Sequence, residues 1–242
     1  MLIAGFPAGP WGTNCWVVAT GPGSECVVID PGKDAAGGVE QTVAEHRLKP
    51  VAMLATHGHI DHIWSIAPLA GAYDTTAWIH PADRHLLADP MAGLSADWRS
   101  LLGGMGGEPA FVEPDDVREL SDGVSLELAG VRFDVVHTPG HTRGSVVFRT
   151  PYAGPEDVPE VMFSGDLLFA GSIGRTDLPG GDPAQMRASL AASVLPLDDR
   201  VVVLPGHGPQ TTIGNERASN PHLAGLPAAA PAGSVPGRHR GL

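Results

Sequence analysis

THGHIDHIW, residues 56–64, brings His57, His59, Asp61 and His62 into one short run. Side chains at 57, 59 and 62 cannot share one face of a strand or of a single helix, so the run calls for a loop. The residues leading into it, VAMLAT (51–56), form the continuous apolar run of a strand buried on both faces. The motif therefore begins where a buried strand ends, a place where a fixed scaffold holds functional side chains. Imidazoles gain nothing from crowding by themselves. A metal ion supplies the reason, because neutral imidazole and carboxylate are preferred ligands of Zn²⁺ and Fe²⁺.

Upstream, NCWVVAT (14–20) and ECVVIDPG (25–32) read as a β-hairpin across GPGS. Val39, Val43 and Leu48 carry helical spacing over 34–48, with Asp34 as the expected N-cap. Downstream, a short helix is expected near 64–71 and a strand at TTAWIH (75–80). Residues 87–115 are rich in Gly, Pro and Met and lack a period, as long functional loops do. The pattern then turns to strands: VSLELA (124–129), VRFDVVH (131–137), GSVVFRT (144–150) and EVMFSGD (160–166). A helix over 183–194 leads into VVVLPGHG (201–208). Both halves run β then α, which fits two packed sheets flanked by helices. One domain over 1–225 is expected, with 226–242 a disordered tail of Ala, Pro and Gly that has nothing to bury.

Three more strand ends present a ligand-type residue straight after Gly or Pro-Gly. His141 follows VVHTPG, Asp166 follows VMFSG, and His207 follows VVVLPG. Glycine lets the chain bend sharply there and leaves room beside the site. Five histidines and two aspartates on four strand ends exceed one tetrahedral centre and suit two ions sharing a bridging carboxylate. The remaining His46, His80, His85, His222 and His239 read as surface residues, and His137 as a structural neighbour of the site. Asp30, closing a strand in IDPG, is expected to cap backbone amides nearby.

Composition narrows the function classes. Fifteen Lys and Arg face 27 Asp and Glu, a formal net charge of −12, which repels nucleic-acid backbones. Cys15 and Cys26 make no disulfide framework and should pack as small apolar residues. The opening MLIAGFPAGPWG lacks a basic leader and reads as a strand, and nothing approaches a membrane span. A cytoplasmic protein without nucleic-acid or membrane partners is the expectation, its oligomeric state open. GSIGRTDLPGG (171–181) lacks the GK[ST] ending of a phosphate loop. Within it Arg175 either anchors a substrate carboxylate through paired hydrogen bonds or pairs with Asp177 and holds the loop.

The HxHxDH run, with His141, Asp166 and His207 in order, resembles the metallo-β-lactamase superfamily. The resemblance extends from NCWVVAT to about Pro221. Within it TPGHTRGS (138–145), SGDLLF (164–169), GSIGRTDLPGG and LPGHGPQTTIG (204–214) look like the short glyoxalase II-like hydrolases. This implies an α/β fold, the αβ/βα sandwich of two mixed sheets flanked by helices, with metals at one edge. It implies that His57, His59 and His141 bind a first metal, that Asp61, His62 and His207 bind a second, and that Asp166 bridges. Two divalent ions are implied, zinc foremost, with iron or manganese as alternatives.

The chemistry implied is hydrolysis of a small-molecule thioester, a 2-hydroxyacyl conjugate of a low-molecular-weight thiol, by a metal-bound hydroxide that Asp61 helps to hold. Zn²⁺ lowers the pKa of water from ~15.7 to about 7, roughly 12 kcal/mol of hydroxide stabilisation, so no protein nucleophile is needed. Neither a GxSxG elbow nor a Cys–His pairing is present to supply one. The resemblance does not extend to the helical domain with which full-length glyoxalase II enzymes hold glutathione, so glutathione binding in that manner is not expected. A mononuclear iron persulfide dioxygenase shares TPGHT and GRTD and is the alternative. A non-catalytic metal module ranks last, because structural sites are closed and economical in ligands.

Overall fold

Alternate residues of VAMLA serve two different cores. Ala52 and Leu54 join the apolar layer between two sheets, while Met53 and Ala55 face the helices on the other side. That double burial, expected for a continuous apolar run, fixes the segment as a central strand. The structure is a computed structural model and describes residues 1–103, 111–152, 154 and 157–227.

The first sheet is six-stranded in the order β1 (Leu2–Ala8), β2 (Thr13–Ala19), β3 (Glu25–Ile29), β4 (Lys49–Leu54), β5 (Thr76–Ile79), β6 (Val117–Glu119). It starts as an antiparallel meander and turns parallel from β3 onward. The crossovers are α1 (Ala35–His46), between β3 and β4, and α2 (Ile60–Ile63) with α3 (Ile66–Tyr73), between β4 and β5. The second sheet is also six-stranded: β7 (Ser125–Leu128), β8 (Val131–His137), β9 (Val146–Pro151), β10 (Glu160–Gly165), β11 (Val202–Pro205), β12 (Thr211–Thr212). Its single parallel pair, β10 with β11, is joined through α5 (Pro183–Ser193).

Phe133, Phe148 and Phe163 of the second sheet fill the space against Val18, Val27, Ile29, Ala52 and Leu54 of the first. Each of these rings is fully buried. α1 and α3 cover the outer face of the first sheet, and α5 with α6 (Ile213–Ser219) covers that of the second. The αβ/βα sandwich implied by the sequence is the architecture of the chain. Among the described residues no helix is long and apolar enough to cross a membrane.

Local expectations fared unevenly. The hairpin, the central strand and the helix after Asp182 lie where the sequence puts them. Asp34 does not cap α1: its φ of 60° is left-handed and its side chain makes no capping bond. The loop expected for the histidine run ends at His59, and from Ile60 the chain coils into the single turn of α2, which carries Asp61 and His62. The excursion over 87–115 contains α4 (Ala96–Gly103), and its residues 104–110 lie outside the described ones. Most of the expected tail, residues 228–242 with His239, also lies outside them.

Asp182 shows what a working cap looks like, accepting from Ala184 N at 2.8 Å and Gln185 N at 3.1 Å ahead of Pro183. Asp182→Ala is expected to cost about 1 kcal/mol, a fall in melting temperature of roughly 2–4 °C for a chain of this size. An unchanged melting curve would show that α5 is held by its packing alone.

Candidate metal centre

The four strand ends named from the sequence meet at one edge of the sandwich. His57 and His59 follow β4, His141 follows β8, Asp166 follows β10 and His207 follows β11. Donor atoms of His57, His59 and His141 lie within 4.8 Å of one another, as do those of Asp61, His62 and His207. Asp166 stands between the triads: Oδ2 is 3.4 Å from His141 Nε2 and 3.8 Å from His207 Nε2, and Oδ1 is 3.3 Å from His62 Nε2. All seven residues singled out as ligands are thus brought together.

Hydrogen bonds behind the rings decide which nitrogen faces the centre. His141 Nδ1 donates to the carbonyl of Arg175 at 2.7 Å, leaving Nε2 bare. Thr56 Oγ1 gives its proton to Asp30 Oδ2 at 2.6 Å and so accepts from His57 Nδ1 at 3.1 Å, leaving His57 Nε2 bare as well. These two bare nitrogens are 3.1 Å apart. His59 Nδ1 also lies 2.7 Å from His141 Nε2, so ring nitrogens of all three histidines converge on one point that a cation could occupy. Asp166 Oδ1 is buried and makes no well-formed hydrogen bond, with His62 Nε2 facing it at 3.3 Å. The donor set fits divalent metal, with the outer hydrogen bonds that orient metal-bound imidazoles already in place.

Charge follows the same division. Burial, reinforced by the neighbouring imidazoles of His62 and His141, holds His57 well below the usual histidine range. Burial and His141 lower His59 to about 3 against the pull of Asp61 and Asp166. Both imidazoles are therefore held in the neutral form, the one that can offer a lone pair to a metal. Burial also disfavours charge on Asp61 and Asp166, but the imidazoles outweigh it, led at both by His62. Asp61 sits far below the usual carboxylate range and Asp166 at about 2. Burial lowers His62, yet Asp61, Asp166 and Asp30 together raise it well above the histidine range. Without an ion, protons on His62 balance the carboxylates. A bound cation takes over that task.

Several supporting residues carried no signal in the sequence. Thr13 Oγ1 donates to Asp61 Oδ2 at 3.1 Å. Asn14 Nδ2 donates to the carbonyls of Pro205 and Gly208 at 3.0 and 2.8 Å, fastening the loop of His207 to β2. At Gly206 and Gly174 a Cβ would collide with Asp166, so both loops require the missing side chain. Asp30 takes the amide of Thr56 at 2.7 Å, as expected, and also holds His62 Nδ1 at 2.9 Å. His137 accompanies none of the seven; it stacks at 4.2 Å on His80, which is half-buried rather than a free surface residue.

A cavity of about 250 Å³ opens over the donors, walled by Trp11, Ile60, Leu94, Trp98 and Leu178, with Arg175 at its side. The aperiodic excursion thus contributes Leu94 and Trp98 to the wall. Arg175 pairs with Asp177 through two hydrogen bonds of 2.7 Å, both side chains largely exposed. Larger clefts of about 560 and 600 Å³ lie elsewhere and contain none of the seven residues.

A family model described as the metallo-beta-lactamase superfamily matches residues 8–207. An uncharacterized protein of Mycobacterium tuberculosis is 48% identical over 227 residues, 93% of this chain and 99% of that protein. Hydroxyacylglutathione hydrolase GloC of Haemophilus influenzae is 34% identical over 223 residues, 92% of this chain and 98% of the relative. Among solved structures, BLEG-1 B3 metallo-beta-lactamase superposes with a TM-score of 0.79 at 37% identity, covering 93% of this chain and 100% of the other. TTHA1623 in a di-iron-bound form gives a TM-score of 0.71 at 39% identity, covering 90% and 98%. With its histidine- and aspartate-bearing strand ends gathered at one sandwich edge, the chain belongs to the metallo-β-lactamase superfamily, a superfamily of metallo-hydrolases.

Proposed function

We propose that the chain hydrolyses thioesters in the manner of glyoxalase II, using two divalent ions, zinc foremost and iron or manganese as alternatives. The observation that carries this is the pair of complete, non-overlapping triads with Asp166 in reach of both. His57, His59 and His141 would hold one ion and Asp61, His62 and His207 the other. When bound, the metal supplies Lewis acidity, polarising an acyl carbonyl and making water acidic enough to attack at neutral pH.

The chain supplies the rest. Asp61 stays ionised and, steadied by Thr13, accepts a hydrogen bond from the attacking water and so orients it at the cavity floor. Trp11, Leu94, Trp98 and Leu178 bind the apolar part of the substrate and exclude bulk water. Arg175 can exchange the exposed carboxylate of Asp177 for one on the substrate, since a solvent-exposed pair holds weakly. Likeness to a protein named hydroxyacylglutathione hydrolase supports a 2-hydroxyacyl thioester as substrate. The buried free thiols Cys15 and Cys26 fit work in the cytoplasm.

The rival reading, a mononuclear iron persulfide dioxygenase, leaves the second triad without a task. Metal content by mass spectrometry, a thioester assay and an oxygen-electrode trace on glutathione persulfide separate the two. Two divalent ions per chain, thioester cleavage and no oxygen uptake are expected. One iron with oxygen uptake and no thioesterase activity would establish the rival.

A further inference from the structure

We infer that Asp83 is a positioning residue for the first triad, holding the loop of His57 and His59 against the loop of His141. The inference rests on the metal-binding reading of that triad. Asp83 lies in HPADRH, in the bend after β5, and is only 2% exposed. Its Oδ2 accepts from the amide of Gly58 at 2.9 Å and the hydroxyl of Thr142 at 2.6 Å, and its Oδ1 accepts from the amide of Gly144 at 2.8 Å. Gly58 separates His57 from His59, while Thr142 and Gly144 follow His141. One carboxylate therefore ties together the two loops that carry all three imidazoles, one loop from each sheet.

The two amide donors are glycines for a spatial reason. A Cβ on Gly144 would collide with the Asp83 carboxyl group, and one on Gly58 would press on Asp83 Cβ at 3.1 Å and on Leu86. Neither glycine has a positive φ, so close approach and not backbone conformation demands them. Asp83 forms no ion pair among the described residues; its charge is met by two amides and a hydroxyl. A carboxylate held this way is a strong acceptor with fixed geometry. Asp30, the other buried carboxylate behind the site, holds His62 directly and His57 through Thr56, whereas Asp83 touches only the loops of the first triad.

Asp83→Asn keeps the shape but replaces one acceptor by an amide group that faces donors. The test measures Zn²⁺ affinity of the full chain by competition with a chromophoric chelator, in two backgrounds. His207→Ala keeps the first triad intact and His59→Ala keeps the second. In the His207→Ala background Asp83→Asn is expected to weaken Zn²⁺ binding about 10–100-fold, the usual effect of removing a partner behind a ligand. In the His59→Ala background the change should stay below about threefold. Thr142→Val, which preserves the charge and all three ligands, should show the same preference for the first triad if Asp83→Asn folds poorly. Equal weakening in both backgrounds, or none in either, would overturn the assignment. Should the wild type bind a single Zn²⁺, the two-ion reading fails separately. The Asp83 assignment then stands on whether Asp83→Asn weakens that one ion by the same factor, and unchanged affinity rejects it.

Discussion

Asp61→Asn is expected to slow thioester turnover on the order of 10³-fold, ~4 kcal/mol of barrier. The melting temperature should stay within a few degrees of wild type. The side chain sits at the cavity floor, partly exposed, on the single turn of α2, and the exchange to Asn is nearly isosteric. Packing is therefore almost untouched, and Thr13 still finds an oxygen to donate to. What disappears is the negative charge 3.1 Å from His207 Nε2 and 3.4 Å from His62 Nε2. The second triad is then left with imidazoles alone and Asp166 shared with the first. Rates on a thioester, together with melting curves, decide the matter. Near-normal turnover in the variant would remove Asp61 from the reaction and leave the first triad as the working centre.

Asp30→Ala should act on the fold instead, costing roughly 3–5 kcal/mol, the range for breaking a buried charged pair from one side. Asp30 is 1% exposed and accepts the amide and hydroxyl of Thr56 and Nδ1 of His62. Its removal strands a buried amide and a buried imidazole N–H, and puts alanine at a φ of 50°, a left-handed conformation that adds about 1 kcal/mol. Denaturant unfolding of the metal-free chain isolates this contribution from ligand binding, with the slope expected to be unchanged. A loss below about 1 kcal/mol would mean that water replaces the carboxylate and that the interior there is less dry than its burial implies.

What could be read from the sequence and what could not differ in range along the chain. His57, His141, Asp166 and His207 sit at or just beyond the end of an apolar run, so strand pattern and Gly or Pro-Gly turns marked those four loops, and the histidine run itself marked His59, Asp61 and His62. The strands of the two central layers were legible for the same reason, as VAMLAT shows. Asp83 had no such mark, because its partners Thr142 and Gly144 lie 59 and 61 residues away. Asn14, read only as part of a strand, serves carbonyls 191 and 194 residues distant. Three-residue β6 is too short and too exposed to show a pattern. Asp34 misled because capping depends on a backbone angle that residue type does not reveal.

The triads draw on both sheets, and this bears on how the protein comes into being. His59 meets His141 across 82 residues, and His62 meets His207 across 145. At synthesis rates of about 5–20 residues per second, His207 leaves the ribosome roughly 7–30 s after His62. For the first part of that interval the nascent chain displays His57, His59, Asp61 and His62 with no second sheet to oppose them, and β11 with His207 follows last. An ion met then finds donors from one loop and stays exchangeable. The seven side chains come together only when β10 and β11 dock against the first sheet, so the assembly of the site follows the folding of the second half rather than the appearance of the histidine run.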